Sequence, residues 1–202
     1  PVGRADSCRQ VEGLGRRRAC PPDFEKQKRG NLMQEGDAAA AAVGGVSVAE
    51  VARCYGTPLY VYDAAMIRQR CRDLADWDTV RFAQKACSNL AVLDLIRREG
   101  VVVDAVSAGE IHRALAAGFT PQPAEPGQDG LPPVHPIVYT ADIFDRDSLS
   151  AVASHGIHVN CGSADMLTQL AERVPGASVT LRVNPGFGHG HSQKTNTGGE
   201  GS

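Results

Sequence analysis

An α/β fold built on a parallel sheet is what this sequence predicts, and three observations predict it. From residue 47 onward, short apolar runs rich in β-branched and aromatic residues alternate with segments whose apolar residues recur at spacings of three and four. The alternation runs strand then helix, so each strand reaches the next by a helical crossover, which gives parallel pairing with right-handed connections. Capping signals fall at some of the joins, with Ser107 and Ser163 before periodic runs and Gly56 after one. Spacing does not choose between an open doubly wound sheet and a (β/α)₈ barrel. No GxGxxG follows the first strand and no GxxxxGK[ST] occurs anywhere, which weakens the dinucleotide-binding version.

The elements follow in order. "SVAEVARCYG", from Ser47, is a short amphipathic helix closed by Gly56; "TPLYVYD" is strand-like; "AAMIRQRCRDLADW" is a helix. Strand-like runs then come at 80–84, 101–106, 137–141, 157–161 and 178–184, with helical segments at 88–99, 108–117, 145–154 and 163–173 between them. That makes about five parallel strands. "TPQPAEPGQDGLPPVHP", residues 120–136, carries six prolines and reads as a surface loop of polyproline character.

The chain has 202 residues, 42% of them hydrophobic, enough for one domain with a real core. No stretch approaches the roughly 18 apolar residues of a membrane span. Residues 1–32 hold eight Lys or Arg against four acids, and the rest holds thirteen against nineteen. This basic head has acids mixed in and no interleaved aromatics, so it reads as a solvated disordered segment and not as a nucleic-acid arm. It has no apolar core after Arg16, Arg17 and Arg18 and is no secretory signal, which leaves the cytoplasm as the expected compartment. Met33 opens a segment that makes a sensible protein start, and residues 1–45 are expected to be a disordered or non-native extension, with 46–202 the folded part. The six cysteines form no CxxC pair and no metal spacing, and reduced thiols are expected.

In either parallel fold, chemistry collects at the C-terminal ends of strands. The residues there are Lys85 with Asn89, Asp104 with Ser107 and Glu110, Asp142, Asn160 with Ser163, and Arg182 with Asn184. Two cations and several carboxylates on one face suit a small anionic, amine-bearing ligand. Each also has a structural reading: Ser107 and Ser163 as helix caps, and Glu110 as the partner of Ser107 in a capping box. Lys85 is the sharpest, because lysine is rarely buried unless paired and here directly follows a strand. His189 and His191, in "GFGHGHSQKTNTGGE", have no nearby Cys or acid to complete a ligand set, so no metal is expected and a mobile glycine-rich loop is.

The stretches "YGTPLYVYD", "RFAQKACSN", "VDAVSAGEIHRALAAG", "IVYTADIFD" and "LRVNPGFGHGHSQKTNTGGE" together resemble the diaminopimelate decarboxylases, in one order from residue 55 to 200. The resemblance implies a fold-type III, alanine-racemase-like (β/α)₈ barrel, incomplete here, followed in the family by a β domain to which "PLYVYD" belongs. It implies pyridoxal 5'-phosphate as cofactor, meso-2,6-diaminopimelate as substrate, L-lysine and CO₂ as products, and a homodimer for the full-length protein. On the same resemblance Lys85 is the lysine that forms the Schiff base with the cofactor, and Asp104, Glu110 and Arg182 lie near it. A Schiff base needs a neutral amine, which desolvation at the bottom of a cleft favours.

Several of the family's segments have no match up to residue 202: the ring-stacking histidine, the glycine-rich phosphate loop, the cysteine-bearing segment and a late tyrosine. The expectation is therefore an N-terminal portion that does not by itself hold the cofactor tightly. Three other readings stand beside this one: a single-barrel pyridoxal-phosphate protein that binds without decarboxylating, a decarboxylase of another basic amino acid, and an inert product of a truncated gene. The "HGHSQKTNTGG" run favours the diaminopimelate enzyme.

Overall fold

A computed structural model describes residues 41–121 and 133–183. They fall into two compact units that divide after Leu74.

The first unit opens with a two-stranded antiparallel hairpin, β1 (Ala42–Val43) and β2 (Val46–Ser47), in which Val43 pairs with Val46. The two residues between them, Gly44 and Gly45, both have positive φ, at 58° and 78°. That backbone matches the twist of a two-residue hairpin and is open to glycine at little cost. The hairpin crosses the expected boundary at residue 45, so the end of the supposed extension is ordered structure, whereas its first forty residues lie outside those described. Helix α1 (Val48–Tyr55) follows directly and stops at Gly56, as the sequence predicts. Helix α2 (Ala64–Arg72) starts at Asp63, whose carboxylate accepts from the Ala65 and Met66 N–H groups at 2.8 and 3.2 Å.

Between the two helices the predicted strand "TPLYVYD" does not form. It has the β-branched and aromatic residues of a strand, but a strand exists only through its ladder, and no neighbouring strand pairs with this one among the described residues. Tyr60 is 92% exposed, with Val61 and Tyr62 exposed beside it.

The second unit is a five-stranded, wholly parallel sheet: β3 (Arg81–Ala83), β4 (Val102–Ala105), β5 (Ile137–Tyr139), β6 (His158–Cys161) and β7 (Val179–Leu181). The strands lie in the order in which they occur in the chain. This settles what spacing left open, because a doubly wound sheet reverses its strand order at a switch point and a barrel does not. The crossovers are helices α3 (Leu90–Arg98), α4 (Ala108–Ala116), α5 (Arg146–His155) and α6 (Ala164–Arg173). Each of the nine predicted elements in this unit is present, within three residues at each boundary.

The register gives the sheet two unlike faces. Val103 pairs with Ile137, Ala105 with Tyr139 and Tyr139 with Val159, so these residues share one face. All are buried, under Leu93 and Ile96 of α3, Ile111 of α4, Val152 of α5 and Met166 and Leu170 of α6. The other face carries Arg81, Ala83, Asp104, Val138, His158, Asn160 and Thr180, by the pairings Ala83 with Asp104, Val138 with His158 and Asn160 with Thr180. One face is therefore an apolar core and the other is largely polar, and chemistry belongs to the second.

The helix starts follow the sequence closely. Asn89 accepts from the Ala91 and Val92 N–H groups, Ser107 from Glu110, Asp145 from Ser148 and Ser163 from Met166. Helix α5 ends at Gly156, whose φ of 64° and ψ of 38° are left-handed. No helix among the described residues is long and apolar enough to cross a membrane.

Candidate functional site

Strand β3 ends in a single 3₁₀ turn, Gln84–Ala86, and this turn presents Lys85 at the C-terminal end of the sheet. Lys85 shares a small open cavity of about 40 Å³ with Ala83, Gln84, Asp104, Val106 and Thr140. Ala83 and Asp104 are cross-strand partners on the polar face, beside the turn. Lys85 is more open than the sequence suggests: it is exposed at the rim of the cavity and not sunk at its floor. The cause is its strand, which is an edge of the described sheet and has a neighbour on one side only.

Asp104 sits between two opposing influences. Burial pushes its carboxyl above the usual carboxylate range, while the Arg81 guanidinium and then the Lys85 ammonium pull it back down. Arg81 Nε lies 3.6 Å from Asp104 Oδ1. The same guanidinium donates from Nη1 to the Val103 and His135 carbonyls, at 3.0 and 3.1 Å. Burial lowers the proton affinity of Arg81, and Asp104 partly restores it. Asp104 Oδ1 is itself buried and has no hydrogen-bond partner among the described residues.

Next along the polar face, His135 and His158 stack with ring centroids 4.0 Å apart and planes 15° apart. His158 Nε2 meets Thr180 Oγ1 at 2.8 Å. Burial holds both imidazoles below the usual histidine range. For His135 the Arg81 charge adds to this, and for His158 so do His135 and then Arg81. Asn160 lies on the same face with its Oδ1 buried and without a hydrogen-bond partner among the described residues.

The predicted residues therefore divide. Lys85 and Asp104 come together in one cavity. Glu110 has its carboxylate on the Val106 N–H at 2.8 Å while its own N–H donates to Ser107 Oγ, a capping arrangement displaced by one residue from the standard box. It thereby fixes the backbone of Val106, a residue of the cavity wall. Arg182 turns to Asp142, with Nη1 2.6 Å from Oδ1. The geometry explains the pairing: both residues emerge at strand ends on either side of β6, and Gly162 between them offers no side chain to separate them. Asn184, His189 and His191, and most of the proline-rich loop, lie outside the described residues.

Sequence reasoning missed Arg81 and the two stacked histidines. A signal was present: Arg81 and Ala83 alternate with Phe82 in the run leading to Lys85, and His158 and Asn160 alternate with Val159, which is the period of a strand with one polar face.

A primary amine, a neighbouring carboxylate with an unpartnered buried oxygen and an open side above them fit a small molecule bearing an aldehyde and a proton donor. An amine adds to an aldehyde as its neutral form, and the carboxylate accepts the donor's hydrogen bond. Pyridoxal phosphate has both groups, and Lys85 and Asp104 are the described residues that would hold it. Among the described residues no three His, Cys, Asp or Glu side chains gather as metal ligands.

Comparison with known proteins points the same way. Residues 65–202 match the family model described as pyridoxal-dependent decarboxylase, pyridoxal binding domain. The diaminopimelate decarboxylase of Escherichia coli strain K12 is 56% identical over 150 residues, covering 73% of this chain and 33% of that protein. That of Streptomyces coelicolor is 54% identical over 159 residues, covering 79% and 34%. A crystal structure of a diaminopimelate decarboxylase superposes with a TM-score of 0.68 at 50% identity, covering 80% of this chain and 37% of that one. The chain thus spans about a third of the length of the curated relatives it matches.

Proposed function

The chain belongs to the pyridoxal-dependent decarboxylase family, and from that premise we propose that it is part of a diaminopimelate decarboxylase, with Lys85 as the residue that binds pyridoxal phosphate covalently. The observation that carries this reading is the meeting of Lys85 and Asp104 in one cavity at the C-terminal end of a parallel sheet. The identity to named diaminopimelate decarboxylases supports the substrate, meso-2,6-diaminopimelate, and the products, L-lysine and CO₂. Cytoplasmic location and a homodimer of the full-length protein belong to the same proposal.

Bound pyridoxal phosphate supplies an aldehyde for attachment and a protonated ring that takes up the electron pair left when CO₂ departs. The protein's own groups do the rest. Lys85 Nζ is the nucleophile, and it stands at the mouth of the cavity where substrate can displace it. Asp104 faces it as an anion and balances positive charge at that nitrogen. Once displaced, Lys85 Nζ is placed to hold a proton for return to the substrate carbon. Glu110 keeps the Val106 backbone, and with it the cavity wall, in position. Arg182, with its carboxylate partner Asp142 exposed to solvent, offers a guanidinium near the same end of the sheet for an anionic group.

The test is lysine formation from meso-diaminopimelate by the full-length protein with added pyridoxal phosphate, alongside Lys85→Ala. Replacement is expected to remove the covalent attachment and to lower turnover by about 10³-fold or more. Undiminished turnover in Lys85→Ala would refute the assignment.

A further inference from the structure

Arg81 stands half-buried on the polar face of β3, four residues before Lys85. Placing a guanidinium there is costly, as its lowered proton affinity on burial shows. Two backbone carbonyls fix it: Nη1 donates to Val103 in β4 and to His135 just before β5. With the head group so pinned, Nε lies 3.6 Å from Asp104 Oδ1, the oxygen that no hydrogen bond satisfies. Asp104 in turn is in register with Ala83 and shares the cavity with Lys85.

We infer that Arg81 is a positioning residue for the Lys85 site: anchored on the Val103 and His135 carbonyls, it holds the Asp104 carboxylate as an anion beside Lys85 Nζ. This rests on the reading of Lys85 as the attachment point for pyridoxal phosphate.

The surroundings of Asp104 leave this task to Arg81. Lys85 faces it from the 3₁₀ turn, but its nitrogen is the reacting group. From the β5 and β6 side come His135 and His158, whose proton affinity burial lowers. Glu110, on α4, is committed to the Val106 N–H. Attachment of an aldehyde at the neutral Lys85 amine would form a C=N bond and release one water, and the nitrogen would become positive by taking up one proton from solvent. An anionic Asp104 favours that charged nitrogen, and protonation of Asp104 withdraws the support. Capture at Lys85 should therefore fall on acidification, along a limb set by Asp104, and Arg81 should set where that limb lies.

The measurement is the pH dependence of pyridoxal phosphate capture by the full-length protein, trapped by borohydride and quantified as pyridoxyl-Lys85 by mass spectrometry. Turnover is not needed for the reading. Arg81→Gln is expected to move the acid limb to higher pH by about one unit or more, because loss of a cation within about 4–6 Å raises a carboxyl pKa by that order. In Asp104→Asn the part of the limb set by Asp104 should be absent, and adding Arg81→Gln to that background should produce no further shift. Arg81→Lys keeps the cation, serves if Arg81→Gln fails to fold, and should leave the limb within about half a unit of its original place. The inference is overturned if Arg81→Gln folds and leaves the limb unmoved, if the shift persists in the Asp104→Asn background, or if Arg81→Lys shifts it as far as expected for Arg81→Gln. Absence of any capture at Lys85 in the unmodified protein would instead overturn the proposed function from which this inference starts.

Discussion

Arg81 and Asp104 face each other across β3 and β4 with Nε 3.6 Å from Oδ1, and burial has moved the two groups in opposite directions, the cation's proton affinity down and the carboxyl's up. The pair therefore does not fully repay its own desolvation. A carboxyl whose folded value lies above its ordinary 3.8 binds more protons folded than unfolded between the two values, so stability falls as pH rises through that window. Asp104→Asn removes the ionisation. It is expected to raise the midpoint of denaturation at neutral pH, with the gain fading as pH drops below the ordinary carboxylate value, while capture of pyridoxal phosphate suffers. Denaturant titrations at pH 7 and pH 3.5 check this; a variant less stable than the parent at pH 7 would count against it.

The apolar face makes the opposite demand. Leu93 is fully buried on α3 and packs over the sheet's covered side, away from the polar face. Leu93→Ala is expected to cost about 2–5 kcal/mol, the range set by how far the surrounding helices relax into the void. Urea denaturation followed by circular dichroism reads it, and a loss under about 1 kcal/mol would show that α3 is not part of the cooperative core.

Much of this second unit was legible in the sequence because its signals are local. The strand-like runs ending near Ala83, Ala105, Tyr139, Cys161 and Leu181 are bounded by turn and cap residues, and the caps at Ser107 and Ser163 bond as their residue types predict. The segment "TPLYVYD" failed because a strand is a property of a pair, and its β-branched and aromatic content says nothing of where a partner lies. Lys85 and Asp104 were legible through their strand-end positions. Arg81 was not, since a charge at the start of a strand reads as an edge or solvent residue until the register shows Asp104 one strand away. The partner of Arg182 was likewise invisible: Asp142 is forty residues off, and only the strand order brings the two together.

The Arg182–Asp142 pair is exposed on both sides, at 40% and 77%. Ion pairs of this kind contribute about 0–1 kcal/mol. Asp142→Ala is therefore expected to change stability by less than about 1 kcal/mol. If Arg182 serves an anionic ligand, Arg182→Ala should weaken cofactor or substrate binding with an equally small stability change. Denaturant midpoints measured beside binding separate the two roles, and a large stability loss in Arg182→Ala would make the residue structural.

Ser107 and Glu110 form a joint that is both cap and cavity wall. Ser107→Ala is expected to cost about 1 kcal/mol through loss of the bond to the Glu110 N–H. Glu110→Gln keeps the size of the side chain but turns a charge-assisted acceptor on the Val106 N–H into a neutral one, and the smaller effect is expected from it. Hydrogen exchange at the Val106 amide is the direct readout. Faster exchange in Glu110→Ala than in Ser107→Ala is expected, and equal protection in both would show that the Glu110 carboxylate does not hold that backbone.

Gln84, immediately before Lys85, is 1% exposed, and neither its Nε2 nor its Oε1 has a hydrogen-bond partner among the described residues. An unsatisfied buried amide costs about 1–3 kcal/mol, and an apolar side chain of similar shape escapes that cost. Gln84→Met is accordingly expected to stabilise the protein by roughly that amount when no pyridoxal phosphate is present. The turn that presents Lys85 is held by its backbone, with Gln84 O accepting from the Cys87 N–H at 2.9 Å and the Ser88 hydroxyl at 3.0 Å, so the exchange should leave the turn in place. Thermal denaturation with and without pyridoxal phosphate distinguishes the cases. A gain without the cofactor that shrinks or reverses with it would mean that the amide finds its partner in the bound state, whereas a loss of stability without the cofactor would mean that Gln84 is already satisfied and the prediction is wrong.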